Sequence, residues 1–159
     1  MLTELEPLAE ALAQNRQLLD ELLEQMDESA LNRAPAAGEY TGRQILAHLA
    51  GAESGMTGLM RRMAAGENPR IKAEYNNDYY NARQQDKRAH LTTDQLRAEL
   101  VETRADLIAF IESLRETDLS KQGQHPVAGE STVLGVLQVL QQHERAHIED
   151  LARLSRAPA

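Results

Sequence analysis

The sequence predicts an all-α protein built around a four-helix bundle. Ala, Leu, Glu, Gln and Arg dominate the composition, and these residue types favour helices. Apolar residues recur at helical spacing in four long segments, whereas no segment alternates apolar and polar residues for long, as a half-buried strand would. With 159 residues, of which 42% are hydrophobic, the chain suits one domain spanning residues 1–159.

The first two long helices are predicted to begin at capping boxes. The first spans Thr3–Met26, and its opening threonine and Glu6 match the capping-box pattern. The second spans Thr41–Ala65, and its opening threonine matches the same pattern with Gln44. Gly66 follows the second helix, as is typical of a helix end.

The other two long helices are predicted over Thr93–Arg115 and Ser131–Ser155, where apolar residues again follow one face. A short helix is predicted over Asp78–Arg88, within a long polar connection. The connections between the long helices are Asp27–Tyr40, Glu67–Thr92 and Glu116–Glu130.

The charge and composition exclude several classes of partner. There are 17 basic and 25 acidic residues, for a net charge of −8, so phosphate backbones repel the chain and no nucleic-acid binding is expected. No apolar run approaches the ~18 residues that span a bilayer. The first residues lack the basic and apolar regions of a signal peptide, and there are no cysteines. We therefore expect a cytoplasmic protein that does not bind membranes.

Three histidines on apolar helix stripes predict a metal site. His48 lies on the second helix, and His143 and His147 lie one turn apart on the fourth. A buried imidazole needs a partner for its nitrogens, and three converging rings are a common way for a helical bundle to hold a divalent ion. Imidazole ligands suit zinc, with nickel, copper or iron as alternatives. Three ligands leave a position open for water or substrate.

Other interpretations of the histidine segment remain open. Each ring could instead be a hydrogen-bonded core residue. The segment also matches the H-E-x-x-H pattern of zinc proteases, with Glu144 as the general base. A protease is disfavoured because only residues 148–159 follow and no strand is predicted to hold a peptide. Glu144 is then either a solvated helical residue or a proton acceptor at the rim of the site.

The remaining polar candidates are less informative. His90 and His125 lie in polar connections and are expected to be exposed. Glu102 and Asp106 fall nearer the polar side of the third helix, so we do not expect them to orient the metal ligands. The segment Tyr75–Asn81 holds three of the four tyrosines, which suggests a lid or a docking surface, or else an ordinary loop packed by its own rings.

A homodimer is expected from the apolar surface of the second helix. Met56, Leu59, Met60 and Met63 give this helix more apolar surface than one inward stripe needs. Exposed apolar patches usually find partners, and a second copy of the chain is the simplest one.

The histidine motifs resemble those of the DinB/YfiT-like superfamily of metalloenzymes. The resemblance lies in Thr41–Leu49, which includes the early histidine, and in the late H-x-x-x-H within His143–Asp150. It implies a four-helix bundle with a long crossover connection, commonly dimeric, and a metal on His48, His143 and His147. Relatives of this kind include transferases and isomerases that use thiols such as bacillithiol or mycothiol, and others are described as hydrolases without a known substrate. The sequence departs from common members after His147 and has Tyr40 where a tryptophan is frequent.

Together these observations predict a metal-dependent enzyme that acts on a small molecule. The metal would activate bound water for hydrolysis or a thiol for S-transfer. Because the chain has no cysteine, that thiol would be an external low-molecular-weight compound. The alternatives are a non-catalytic dimeric module for metal binding or stress-related interaction, and a helical scaffold without a metal.

Overall fold

Four long helices form the bundle in the computed structural model, which describes residues 1–36 and 38–156. They are α1 (Glu6–Gln25), α3 (Gly42–Ala64), α5 (Thr93–Ser113) and α6 (Val133–Arg156). Two shorter helices, α2 (Glu28–Leu31) and α4 (Asn77–Arg88), lie in the connections. The predicted all-α bundle is confirmed. No helix within the described ranges is long and apolar enough to cross a membrane.

The direction of each helix follows from its contacts. Glu53 of α3 meets Arg104 of α5, and Arg61 of α3 lies over the ring of Phe110, so α3 and α5 run parallel. Two consecutive long helices that run parallel require the chain to return along the bundle between them. Residues 65–92 make this return and include α4, which packs on α3. This is the long crossover connection that the resemblance implied.

Helix α6 runs antiparallel to α3. Ile45 and Leu151 belong to one core cluster, whereas Met60 and Val136 belong to the other. The order along α6 is therefore reversed relative to α3. This reversal places the C-terminal half of α6 beside the N-terminal half of α3.

The helix ends follow the capping signals only in part. Thr41 and Gln44 form the predicted capping box, with bonds of 3.1 and 2.9 Å to each other's backbone N–H groups. The capping box predicted at Thr3 and Glu6 is wrong. Residues 3–5 form a 3-10 turn, and α1 begins at Glu6 without a side-chain cap. The fully buried Leu5 explains the difference, because its packing in the core holds the chain in a tight turn at this point.

The connection Glu116–Glu130 was expected to contain no strand, and this is wrong. Strands β1 (Gln122–His125) and β2 (Gly129–Thr132) pair as an antiparallel hairpin, so α6 begins two residues later than predicted. Gly129 has φ +73°, a left-handed conformation that lets the chain reverse. A Cβ at Gly123 would lie 2.7 Å from Met63 Cγ, so only glycine permits the hairpin to pack this closely against α3.

A buried ionic network joins the four long helices at mid-height. Arg16 of α1, Glu53 of α3, Arg104 of α5 and Glu144 of α6 are its charged members. Arg104 contacts Glu53 at 2.6 Å and Glu144 at 2.5 Å, and Arg16 reaches the same two carboxylates at 3.2 and 3.4 Å. The two carboxylate residues are only 3% and 4% exposed. The network separates one apolar core cluster from the other.

Neutral polar groups complete the network. Asn15 donates to Glu144 at 3.3 Å, and Thr103 donates to Glu53 at 2.5 Å. Arg16 of α1 also donates to a backbone carbonyl of α5, and Arg104 of α5 donates to a backbone carbonyl of α1. Burial alone would lower the pKa of Arg104, but the neighbouring carboxylates of Glu144 and Glu53 raise that pKa above its ordinary value. Both expectations for Glu144, a solvated residue or a base at the site rim, are therefore wrong.

Removal of one network carboxylate should be costly. Glu144→Ala leaves Arg16 and Arg104 buried with a single counter-ion, so the free energy of unfolding should fall by about 3–5 kcal/mol. Urea denaturation measures this loss. The matched control is Glu149→Ala on the same helix, which breaks only the exposed pair with Arg145 and should cost less than about 1 kcal/mol. Equal losses in the two variants would contradict the assigned importance of the network.

Candidate metal centre

The three predicted ligands lie together where α3 faces α6. Nε2 of His48 is 2.9 Å from Nε2 of His143. The ring centroids of the three histidines, including His147, lie 4.6, 4.7 and 4.9 Å apart. One nitrogen from each ring falls within 4.8 Å of the others. The antiparallel packing of the two helices thus brings the separate motifs to one point.

Burial keeps the rings neutral. Removal from water, together with the charges of neighbouring histidines, lowers the pKa of His48 to about 4 and the pKa of His143 to about 3. Burial also lowers the pKa of His147, although the nearby Asp150 carboxylate opposes this shift. At neutral pH each ring therefore offers an unprotonated nitrogen, which is the form that binds metals.

The nitrogen arrangement fits a divalent ion. Two imidazole nitrogens bound to one ion at about 2.1 Å lie roughly 3.0–3.4 Å apart, close to the separation seen here. Nδ1 of His143 is buried without a hydrogen-bond partner in the described part of the chain. Asp150 Oδ2 lies 3.2 Å from Nδ1 of His147, near enough to orient that ring, but without the alignment of a hydrogen bond. A carboxylate beside a ligand histidine is typical of metal sites.

Most apolar residues of the two predicted stripes are buried in the core, but each stripe leaves the core line near its histidines. In α6 that line runs through Leu140, Glu144, Ile148 and Leu151, so the two histidines of this helix lie on its flank and are partly buried. In α3 the residues in line with the early histidine, Ala52, Met56 and Leu59, also lie beside the core and are partly buried. The predicted stripe of α3 therefore lies in the core at its ends, at Ile45 and Met63, and forms the wall of a cleft in its middle.

This cleft, the ligand cleft, is a cavity of about 590 Å³ that opens beside the histidines. His48 and His143 lie at its wall, and Gly51, Gly55 and Gly58 line it along α3. A Cβ at Gly51 would lie 3.2 Å from Arg88 Nη1, and one at Gly55 would lie 3.0 Å from the Tyr80 hydroxyl, so these two glycines let the crossover connection pack closely. A Cβ at Gly58 would meet no atom within 4 Å. The lining is mainly apolar, as in many small-molecule sites. The other lining residues are Ala52, Met56, Leu59, Arg62, Ile71, Tyr75, Asn77, Tyr80, Asn81, His125, Pro126, Val127 and Val139.

The tyrosine-rich segment forms one side of the ligand cleft. Tyr75 and Tyr80 pack 6.1 Å apart between ring centroids, and Asn77 and Asn81 lie in the same wall. The local enrichment in tyrosine therefore coincides with a wall of the cleft, and its role as a lid or docking surface stays a prediction. This segment belongs to the crossover connection, which covers α3 at this point.

A second, smaller groove reaches the histidines from another side. It has a volume of about 360 Å³ and is lined by His147, Asp150, Arg153 and Tyr40, among others. The Tyr40 ring lies 5.6 Å from the ring of His48. The histidine cluster is thus approached by an apolar cleft on one side and a more polar groove on the other.

His125 was expected to be exposed, and this is wrong. The residue is 6% exposed and lines the ligand cleft at the end of β1. No local signal could have placed it there, because its position depends on the hairpin and on the packing of Gly123. The expectations for the other polar candidates agree with the structure: His90 is exposed, Asp106 pairs with Arg61 at the surface, and Glu102 is exposed.

The apolar surface expected to form a dimer interface lies inside the protomer. Met60 and Met63 are fully buried in the core. Met56 and Leu59 are partly buried and line the ligand cleft. The argument for a dimer from these four residues is therefore wrong, and the homodimer stays a prediction with no surface assigned to it.

Comparison with known proteins identifies the family. A family model described as the DinB superfamily matches residues 11–151. The chain belongs to the DinB superfamily. This DinB chain is 26% identical over 141 residues to the uncharacterized protein YuaE of Bacillus subtilis strain 168, a match that covers 83% of this chain and 87% of YuaE.

Two solved four-helix bundle structures share the fold. YfiT from Bacillus subtilis, described as a probable metal-dependent hydrolase with an unusual four-helix bundle topology, has a TM-score of 0.81 at 22% identity, covering 98% of this chain and 89% of YfiT. The four-helix bundle protein TT2238 has a TM-score of 0.71 at 22% identity, covering 93% of this chain and 98% of TT2238. At these identities the likeness establishes a common bundle architecture.

The neutral rings predict that the metal-free protein loses stability in acid. The folded pKa values of His48 and His143, about 4 and about 3, lie below the value of about 6.5 in an unfolded chain. Below pH 6.5 the unfolded state therefore binds more protons. The stability from these rings is complete above about pH 6.5 and falls toward pH 4 by about 1 kcal/mol per pH unit for each ring.

Urea denaturation at pH 7, 6 and 5 in the presence of a chelator measures this slope. His143→Leu should reduce it, because one neutral buried ring is removed. His90→Leu, which removes an exposed ring, serves as the control and should keep the wild-type slope. An unchanged slope in His143→Leu would contradict the assigned protonation states.

Proposed function

We propose that this DinB protein is a metal-dependent enzyme whose ligands are His48, His143 and His147. The observation that supports this most directly is the convergence of three neutral imidazoles beside an apolar cleft. Zinc is the expected ion, with nickel or iron as alternatives, because all three ligands are imidazole nitrogens. When bound, such an ion makes a coordinated water or thiol nucleophilic near neutral pH.

The residues of the chain have separate tasks in this proposal. The three histidines hold the ion, and Asp150 orients the ring of His147 from the side of the second groove. The apolar residues of the ligand cleft hold the body of a small substrate and exclude water from it. Glu144 takes no proton in this scheme, because it lies in the ionic network and is bound to both arginines.

Hydrolysis of a small molecule is the first candidate reaction. It needs one organic substrate, for which the ligand cleft has sufficient volume, and water. The similar structure YfiT is described as a probable metal-dependent hydrolase, which agrees with this choice. The substrate would place its reacting group at the end of the cleft where His48 and His143 lie.

S-transfer from an external thiol is the second candidate. The observation in its favour is that two cavities reach the histidine cluster, which suits a reaction between two substrates. A low-molecular-weight thiol such as bacillithiol or mycothiol would occupy the more polar groove beside Asp150 and Arg153. An electrophile would occupy the ligand cleft.

Removal of a ligand tests the metal site. His143→Ala should lower zinc affinity by more than about 100-fold, because the loss of a direct ligand exceeds the 10–100-fold effect of losing an outer partner. Calorimetric titration of protein purified without a nickel column measures this, and circular dichroism should show an unchanged helical fold. His90→Ala is the control and should bind zinc as the wild type does. Stoichiometric, unweakened binding by His143→Ala would contradict the proposed site.

Turnover separates the candidate functions. The zinc-loaded wild type should hydrolyse an activated aryl ester without thiol, and His143→Ala should lose this activity. Thiol consumption with 1-chloro-2,4-dinitrobenzene, in the absence of ester hydrolysis, would favour the S-transferase. Stoichiometric zinc with neither activity would favour a non-catalytic metal-binding module.

A further inference from the structure

His125 is held over the ligand cleft by the β-hairpin. It is the last residue of β1, and only 6% of it is exposed. The preceding residue fixes the strand, because the Gln124 backbone N–H donates to the Pro69 carbonyl at 2.8 Å and its side chain accepts from the Ile71 N–H at 2.9 Å. The position of His125 is thus set by contacts with the crossover connection and not by the histidine cluster.

The local hydrogen bonds determine which nitrogen of His125 holds the proton. Nδ1 accepts from the backbone N–H groups of Val127 and Ala128, at 3.2 and 3.0 Å. An accepting nitrogen has no hydrogen of its own, so the neutral ring has its proton on Nε2. The hairpin loop therefore fixes one tautomer and makes Nε2–H a donor.

This donor has no partner in the protein. No described residue accepts a hydrogen bond from Nε2 of His125. This nitrogen is also absent from the fully buried side-chain atoms that lack a partner, so part of it is exposed. It is therefore open to the surface that the ring lines, which is the ligand cleft. A fixed donor in a mainly apolar cleft matches the few well-placed polar groups that orient ligands in small-molecule sites.

We propose that His125 Nε2–H donates a hydrogen bond to an oxygen of the ligand, and that the ligand is a small carbonyl or carboxylate compound with an apolar body. This inference rests on the proposed function, because His48 and His143 line the same cleft and would hold the metal beside that oxygen. His125 is then a ligand-binding residue distinct from the metal ligands, and it is not in the group of nitrogens that converge for an ion.

The charge of the cleft favours this ligand class over phosphate compounds. Arg62 is the one arginine or lysine among the described residues lining the cleft, and its Nε is 2.7 Å from Glu67. A polyphosphate carries more negative charge than one divalent ion balances, and the described lining offers no unpaired arginine or lysine for it. A neutral or singly charged oxygen needs only the histidine donor and the metal.

The tautomer is tested without any metal. In the chelator-treated protein, long-range proton–nitrogen NMR of the imidazoles should show His125 with Nε2 protonated and Nδ1 unprotonated. The Nδ1–H tautomer would overturn the proposal, whatever the outcome for the metal site.

The donor itself is tested with His125→Asn. The Asn oxygen can take the place of Nδ1 and accept from the backbone of residues 127 and 128, while the cleft donor is lost. Two probes with a similar apolar body are then compared on zinc-loaded protein. Benzohydroxamate offers oxygen acceptors, whereas 4-phenylimidazole binds a metal through one nitrogen and has N–H at the other.

The His125→Asn variant should bind benzohydroxamate roughly tenfold more weakly than the wild type, and 4-phenylimidazole within about twofold of it. An equal loss for both probes, or no loss for either, would overturn the proposal. So would a wild-type zinc protein that fails to bind benzohydroxamate. If the wild type binds no zinc, the proposed function itself is wrong and this role of His125 falls with it; if zinc binds normally, only the role of His125 is in question.

Discussion

The four-charge network of Arg16, Glu53, Arg104 and Glu144 sets the register of the whole bundle. Each long helix contributes one charge, and each carboxylate meets both arginines, so a helix that slid by one turn would leave a buried charge unpaired. Apolar side chains alone tolerate such slips far better. Glu144 directly follows His143 in the chain, so the same pairing that fixes α6 also fixes the position of the histidine cluster.

The long helices and the one-turn spacing of His143 and His147 could be predicted from local signals, whereas the approach of His48 depends on the packing of α3 against α6. Thr41 and Gln44 cap α3 through their own neighbours, and spacing by one turn places His143 and His147 on one face. That Glu144 of α6 faces the core could not be predicted in the same way. Glu144 is buried in the core because arginines from α1 and α5 form ion pairs with it there. The pattern of apolar residues along one helix gives no information about such partners on other helices.

The hairpin and His125 depend on contacts between distant segments, which explains why they were missed. Strands β1 and β2 are four residues each, too short for a clear alternation of apolar and polar residues. Their place is set by Gly123, which packs against Met63 and Pro69 from other parts of the chain. A lone histidine in a polar connection gives no sign of such packing. The Nε2–H donor of His125 could therefore be recognised only from the structure.

The parallel arrangement of α3 and α5 gives the ligand cleft a wall that is separate from the histidine cluster and the ionic network. The crossover connection covers one side of the bundle. It forms the wall of the ligand cleft that faces the glycines of α3. No residue of α4 is buried, so this cover contributes little to the core. Substitutions and insertions there can reshape the cleft while the histidines and the ionic network stay intact. The shape of the ligand cleft thus depends partly on a surface helix, whereas the histidine cluster depends on the packing of the long helices.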